Sequence, residues 1–236
     1  MSTLRVAVVY PDLLGTYGDT GNGIILTRRA MSRGIAAELL LCSSSEPLPE
    51  ADLYCIGGGE DGPQVLAADR LRADGRLTEA VERGATVFAV CAGFQIIGGS
   101  FPDAAGRTHG GVGLLDVTTT KGSGPRCVGE VAVDPASSLG LGRLSGFENH
   151  SGVTSLGQAS ALGTVVAGRG NGAGVAVEGA YAGHVLGTYL HGPVLARNPD
   201  LADLLLRWAT GRTELVALDD AAELGLRAER LASVGC

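Results

Sequence analysis

The chain has 236 residues, of which 45% are hydrophobic and 18% charged, and its formal net charge is −7 at pH 7. A chain this apolar and this sparsely charged can bury a proper core, which excludes disorder as its main state. The acidic balance, the 4% aromatic content and the lack of a Lys/Arg cluster exclude the basic stripe and stacking rings of a nucleic-acid binder.

Glycine is frequent, at 38 residues, roughly twice ordinary usage. It has no fixed period, so it reads as tight turns and close backbone approaches rather than collagen or solenoid repeats. No run nears the ~18 uninterrupted apolar residues of a membrane span. Residues 1–5 lack the zones of a secretory signal, so a cytoplasmic location is expected. The five cysteines, Cys42, Cys55, Cys91, Cys127 and Cys236, are irregularly spaced. There is no CxxC pair and no companion histidine spacing, so neither a disulfide framework nor a metal site is expected.

Residues 4–10 (LRVAVVY) form a β-branched run and predict a buried strand. Residues 11–22 (PDLLGTYGDTGN) are rich in turn formers, and residues 23–31 have helical character. A second strand is expected over 36–41 and a third over 53–56, ending in Gly57-Gly58-Gly59. Residues 43–50 form a Ser/Pro/Glu connection, and residues 63–83 contain helical pieces. Residues 86–90 (TVFAV) are another buried strand, followed at once by Cys91 and a short helix around 94–97. Alternation of continuous apolar strands with helices predicts βαβ units and a parallel sheet, with ligands beyond the carboxyl ends of its strands.

From Gly113 onward the character shifts. Short strand-like runs at 114–118, 127–133, 165, 174–177 and 185–189 suggest an antiparallel or mixed extension of the sheet. Residues 200–210 (DLADLLLRWAT) form an amphipathic helix. Residues 215–233 are a last helical region, expected to break near Gly225. The whole predicts an α/β fold, a single domain over 1–236, with a mostly parallel central sheet flanked by helices and extended by antiparallel strands.

The sharpest chemical signal is Val90-Cys91-Ala92-Gly93-Phe94-Gln95. A buried strand ends in a cysteine and small residues open a helix, the sulfur counterpart of a nucleophile elbow. The positive end of that helix favours a thiolate. The alternative is a buried cysteine that merely closes a strand. A nucleophile needs a base, and His191, just past the run 185–189, can share the sheet edge with Cys91. Spacing alone does not establish that pair. His184 reads as structural and His109 as a solvent-exposed turn residue. Glu148, Asn149 and His150, in Gly146-Phe147-Glu148-Asn149-His150, either line a pocket or satisfy a turn. Glycines 57–59 can turn backbone N–H groups toward an oxyanion, with Ala92 as the second donor, or can be a plain tight turn. No P-loop is present.

Taken in order, residues 17–22 (YGDTGN), 56–61 (IGGGED), 91–95 (CAGFQ), 146–150 (GFENH) and 187–193 (GTYLHGP) resemble the class I glutamine amidotransferases. Within that class they resemble the cobyric-acid-synthase-like branch, and in particular the glutaminase subunits of lipid II isoglutaminyl synthases. The resemblance implies that Cys91 attacks the side-chain amide of L-glutamine, that His191 is base and then acid, and that the N–H groups of Gly58 and Ala92 hold the oxyanion. It implies that Arg126 and Gln95 bind glutamine, the guanidinium suiting its α-carboxylate.

Many members of the class carry a glutamate two residues after the histidine, and here that position is Pro193. The acid that orients His191 is therefore unassigned, with Glu148 a weak internal candidate and a partner-subunit carboxylate preferred. The resemblance further implies a heterodimer with a Mur-ligase-like synthase subunit (the MurT type). That partner, carrying ATP and Mg, would amidate the D-glutamate of lipid II at the inner membrane face, and this chain itself would hold no cofactor. The other readings are the glutaminase of a cobyrinate-type amidotransferase, a stand-alone thiol hydrolase, and a binding module with a dead site.

Overall fold

The computed structural model describes residues 3–16, 18–172 and 174–236. In chain order its first part comprises β1 (Leu4–Val9), α1 (Thr20–Ser32), β2 (Ala37–Cys42), β3 (Leu53–Ile56), α2 (Asp61–Asp74), α3 (Arg76–Glu82), β4 (Thr86–Val90) and α4 (Ala92–Ile97). The second part comprises β5 (Ser100–Pro102), β6 (Thr108–Gly110), β7 (Val117–Lys121), β8 (Cys127–Pro135), β9 (Leu144–His150), β10 (Gly152–Leu156), β11 (Gly163–Ala167) and β12 (Val177–Glu178). The chain then returns through β13 (Ala180–Ala182) and β14 (Val185–Thr188) and ends with α5 (Pro199–Thr210) and α6 (Ala221–Ala232).

The central sheet has the order β13-β14-β4-β3-β1-β2. Its five strands from β14 to β2 run parallel, and β13 pairs antiparallel at the edge. All residues of β3 and β4 are buried, as expected for a sheet covered on both faces. Two further four-stranded sheets, β10-β7-β5-β6 and β12-β11-β8-β9, carry the antiparallel pairing anticipated for the second half. The expected fold class is thus the observed one: an α/β chain with a parallel central sheet, flanking helices and antiparallel extensions.

Several boundaries differ from expectation. The helix expected from residue 23 begins at Thr20, and the run 174–177 supplies only the start of β12. Strands β5, β6, β9, β10 and β13 lie outside the expected runs. Helix α6 runs unbroken through Gly225, and residues 212–220 precede it without helix or strand. A single interior glycine costs a helix only about 1 kcal/mol, so other contacts can override it. His184 stands in the turn before β14 and stacks on Trp208 at 5.4 Å.

The C-terminal segment is fastened to α1 by charge. Arg29 reaches Asp203 of α5 at 2.9 Å and Asp220 at 2.5 and 3.0 Å. Arg33 donates to Asp203 at 2.6 Å and to the carbonyl of Val216 at 2.7 Å. The forked guanidinium of Arg29 lets one side chain hold two acidic partners. No helix among the described residues is long and apolar enough to cross a membrane.

Replacing Arg29 by Met should release residues 212–236 while leaving the central sheet intact. Hydrogen exchange should speed up in that segment, and global stability should fall by about 1–3 kcal/mol. Unchanged protection there would show that the helix is held by other contacts.

Candidate active site

The site lies where the parallel strands end. Strand β4 delivers Cys91 at φ 53°, ψ −106°, and α4 starts at the next residue. A positive φ is rare for a residue with a Cβ, and such strain costs roughly 1–3 kcal/mol unless the surroundings hold it. Here they do: the Cys91 N–H donates to the carbonyl of Thr188 at 2.8 Å, and the Gly93 N–H donates to Gly57 at 3.1 Å. A Cβ on Gly93 would lie 2.5 Å from the carbonyl oxygen of Ile56, so only glycine fits under the turn. This is the physical basis of the small residues read from the sequence, and it favours the elbow over a cysteine that simply closes a strand.

His191 follows β14, and its backbone exchanges both hydrogen bonds with Phe147 of β9. Its Nδ1 stands 3.3 Å from Asp19 Oδ2, with both side chains buried. The same Asp19 oxygen accepts the Gly58 N–H at 2.9 Å. Burial pushes the His191 imidazole toward neutrality. The Asp19 carboxylate and the Cys91 sulfur, to which it hydrogen-bonds, outweigh that effect, and its pKa rises to about 9.

Two expectations are corrected by this arrangement. Within this chain the acid beside His191 is Asp19, from the loop between β1 and α1, and not Glu148. Glu148 turns away: its two oxygens accept the N–H of Arg169 and its Oε2 also that of Gly170, at 2.9–3.0 Å. The Gly58 N–H is committed to Asp19, so it does not point at an oxyanion in this arrangement. Ala92, the first residue of α4, lines the cavity, and a first-turn N–H has no intrahelical partner.

The GDTGN run now has a mechanical meaning, although Tyr17 lies outside the described residues. Asp19 meets His191. A Cβ on Gly21 would lie 2.5 Å from Pro193 Cγ, and Asn22 Oδ1 accepts the N–H of Leu195 at 3.2 Å. The start of α1 is thus packed against the segment that follows His191.

A cavity of about 300 Å³ opens over Cys91, a volume suited to a small metabolite. Arg126 is exposed at its edge. Its Nε donates to Asn149 Oδ1 at 2.5 Å and its Nη2 to the Asn149 carbonyl at 3.1 Å. That same carbonyl lies 4.0 Å from the Cys91 sulfur. Gln95 lines the cavity with its amide fixed: Oε1 accepts from Gln64 at 2.8 Å, and Nε2 donates to the Tyr189 hydroxyl at 3.0 Å. His150 also lines it, stacked on Tyr189 at 3.8 Å, with Nδ1–H donating to the Gly152 carbonyl at 3.0 Å. Cys91, Ala92, Gln95, Arg126, Asn149 and His150 are therefore brought to one cavity, with His191 joined to Cys91; Gly58 meets the site through Asp19, and Glu148 faces away. His109, expected to be free in solvent, is half-buried, bonded to Asp103 at 3.0 Å and stacked on Phe101.

Residues 5–199 match the family model described as a CobB/CobQ-like glutamine amidotransferase domain. The chain belongs to this family. It is 34% identical to the GatD subunit of lipid II isoglutaminyl synthase (glutamine-hydrolysing) from Staphylococcus aureus strain N315, over 90% of this chain and 86% of that one. It is 33% identical to the subunit of the same name from Streptococcus pneumoniae strain ATCC BAA-255 / R6, over 87% and 80%. A probable cobyric acid synthase from Methanoregula boonei is 33% identical over 76% of this chain but only 36% of that protein.

Among solved structures, a glutamine amidotransferase superposes with a TM-score of 0.59 at 21% identity, covering 87% of this chain and 98% of the other. PurLQS from Thermotoga maritima gives 0.59 at 15% identity, covering 88% and 99%; at these identities the likeness is one of fold. The protein is a glutamine amidotransferase, as its sequence motifs imply.

This amidotransferase holds two buried histidines with opposite titration. His191, raised from 6.5 to about 9, keeps extra protons in the folded state. Its contribution to stability is complete below about pH 6.5 and is lost as pH rises through about 9. For His150, burial lowers the pKa from 6.5 to about 4. Its contribution is complete above about pH 6.5 and is lost as pH falls through about 4. Denaturation midpoints measured against pH should therefore flatten in the upper window for His191→Gln and in the lower window for His150→Gln. Parallel curves for wild type and variants would contradict both assignments.

Proposed function

We propose that the chain is the glutaminase subunit of a lipid II isoglutaminyl synthase, acting through Cys91 and His191. The observation that carries the mechanism is the convergence of Cys91, His191 and Asp19, with Cys91 lining the cavity. The sulfur, its proton resident on His191, attacks the side-chain amide carbon of L-glutamine. The C–N bond breaks as His191 gives that proton to the leaving group, which departs as ammonia, and a glutamyl thioester remains. Water then loses a proton to His191, attacks the thioester carbon and displaces the sulfur, releasing glutamate. Ala92 N–H is the oxyanion donor of this arrangement, and Gly58 serves only if Asp19 releases it. Asp19 is a positioning residue that holds the imidazole in orientation.

Ammonia in water is soon protonated and lost, so a consumer must be close. The relatives are named as subunits of a lipid II isoglutaminyl synthase, and they extend along nearly all of this chain. That supports a heterodimer with a Mur-ligase-like synthase subunit of the MurT type, which binds ATP and Mg and amidates the D-glutamate of lipid II. In this reading the chain is cytoplasmic, holds no cofactor of its own, and works at the inner membrane face in peptidoglycan synthesis. The Asp19–His191 distance of 3.3 Å exceeds the 2.7–2.9 Å of a tight charge-assisted hydrogen bond. Docking of the synthase is expected to tighten it.

The test is glutamate release from glutamine by the purified chain, alone and with the synthase subunit. Activity should rise with the partner and fall to background in Cys91→Ala. Asp19→Asn should lower kcat by about a hundredfold and move the His191 limb of the pH–rate profile downward from about 9. No glutamate from the assembled pair would overturn the proposal. An Asp19→Asn enzyme with wild-type kcat and pH profile would remove Asp19 from it.

A further inference from the structure

The geometry points to Asp61 as the residue that receives the α-ammonium group of glutamine and so makes the site selective for an amino acid. The inference deepens the glutaminase reading and rests on it. Glutamine enters as a zwitterion. Its side-chain amide must reach Cys91, which leaves a carboxylate and an ammonium at the outer end of the cavity. A positive group taken into a narrow cavity needs a negative partner there.

The cavity lining supplies four charged side chains: Arg126 and Lys121 on the strand side, and Asp61 and Asp103. Lys121 and Asp103 are spent on the wall itself, whereas Arg126 has N–H groups beyond the two it gives Asn149. Lys121 Nζ donates to the carbonyl of Ala104 at 2.8 Å. Asp103 Oδ1 accepts the N–H of Arg107 at 2.9 Å, while Oδ2 accepts Arg107 Nε at 2.8 Å and His109 Nε2 at 3.0 Å. That set of donors holds the Asp103 carboxyl far below the usual carboxylate range. Lys121 and Asp103 together close the 103–109 hairpin against the cavity.

Asp61 is different. It is exposed, and it has no hydrogen bond or ion pair among the described residues. It opens α2, and Gln64, one turn on, hydrogen-bonds the Gln95 amide in the same cavity. Residues three apart on a helix share a face, and Asp61 and Gln64 both line the cavity, the first exposed and the second buried. Arg126 and Asp61 thus offer one cation and one carboxylate from different elements, with the reacting sulfur below. Three fixed points also define the hand of the substrate. An amide lacking the α-amino group gains nothing from Asp61.

The experiment compares L-glutamine with its des-amino analogue, glutaramate, in the assembled enzyme. Wild type should prefer glutamine in kcat/KM by about tenfold to a hundredfold, the worth of one charge-assisted hydrogen bond. Asp61→Asn should abolish most of that preference, chiefly through KM for glutamine. Asp103→Asn should change both substrates by the same factor. Equal effects of Asp61→Asn on both substrates, or none on either, would overturn the inference. Calorimetric binding to Cys91→Ala, with and without Asp61→Asn, gives a readout independent of turnover. Glutamine bound but never hydrolysed by wild type would sink the glutaminase mechanism while still judging Asp61; no binding of glutamine at all would overturn both.

Discussion

Asp19 sits where three loops of the parallel sheet meet. One of its oxygens faces the Gly58 N–H after β3 and the His191 ring after β14, while the residue itself leads from β1 into α1. A buried carboxylate is expensive unless donors surround it. Moving any one of these loops would strip Asp19 of a donor, so their relative positions are coupled through a single side chain. The coupling continues outward. Gly21 and Asn22 dock the segment after His191, and Phe147 bridges the backbone of His191 to β9. His191 is thereby fixed by the central sheet on one side and by the β8–β9 sheet on the other.

Cys91 is held by a different device. The backbone of Cys91 is forced to a positive φ by the junction of a fully buried strand with a helix that starts one residue later. The strain is confined because β14 takes the Cys91 N–H and the loop after β3 takes that of Gly93. The same two strand ends carry Thr188, three residues before His191, and Gly57, one residue before Gly58. Cys91 and His191 are therefore registered against common backbone, and a hydrogen-bonded row runs from Gln64 through Gln95 and Tyr189 to Thr154 beside them.

Much of this was legible in the sequence, for identifiable reasons. β4 and Cys91 stood out because a strand buried on both faces is continuously apolar and its end is abrupt. α5 stood out because it is amphipathic from Pro199 to a glycine cap at Gly211. β9 and β10 were hidden because polar residues and glycines interrupt 144–156 (LSGFENHSGVTSL), four of which, 149–152, line the cavity instead of an apolar face. The three-residue strands β5 and β6 carry too little pattern to register. Asp19 was visible as part of a motif, but its partner lies 172 positions away, and nothing local distinguishes a loop aspartate that meets a histidine from one that meets water. The signal that was available was the run Gly-Asp-Thr-Gly-Asn itself, whose small residues imply close approach and whose acid has no local cation.

The three buried carboxylates near the site show why the search for an acid by sequence alone went astray. Glu148 is nearer the cavity residues in sequence, yet burial raises its pKa and its oxygens are spent on the backbone of residues 169–170. Glu178 is fully buried, its pKa is pushed up to about 7, and it accepts the Thr188 hydroxyl and the Tyr189 N–H just before His191. Both are structural carboxyl groups that anchor chain segments, and neither faces an imidazole. Of the three, Asp19 is the one that faces an imidazole, that of His191. The pairing is mutual: the carboxylate keeps His191 charged, and the charged ring makes a buried carboxylate tolerable. His150, stacked on the same Tyr189 that lies two residues before His191, has no carboxylate beside it and is neutral. Two histidines in one site thus differ by roughly five pH units in where they hold a proton, from about 4 to about 9. Burial pulls both rings toward neutrality, and the one beside Asp19 and Cys91 is held protonated against it.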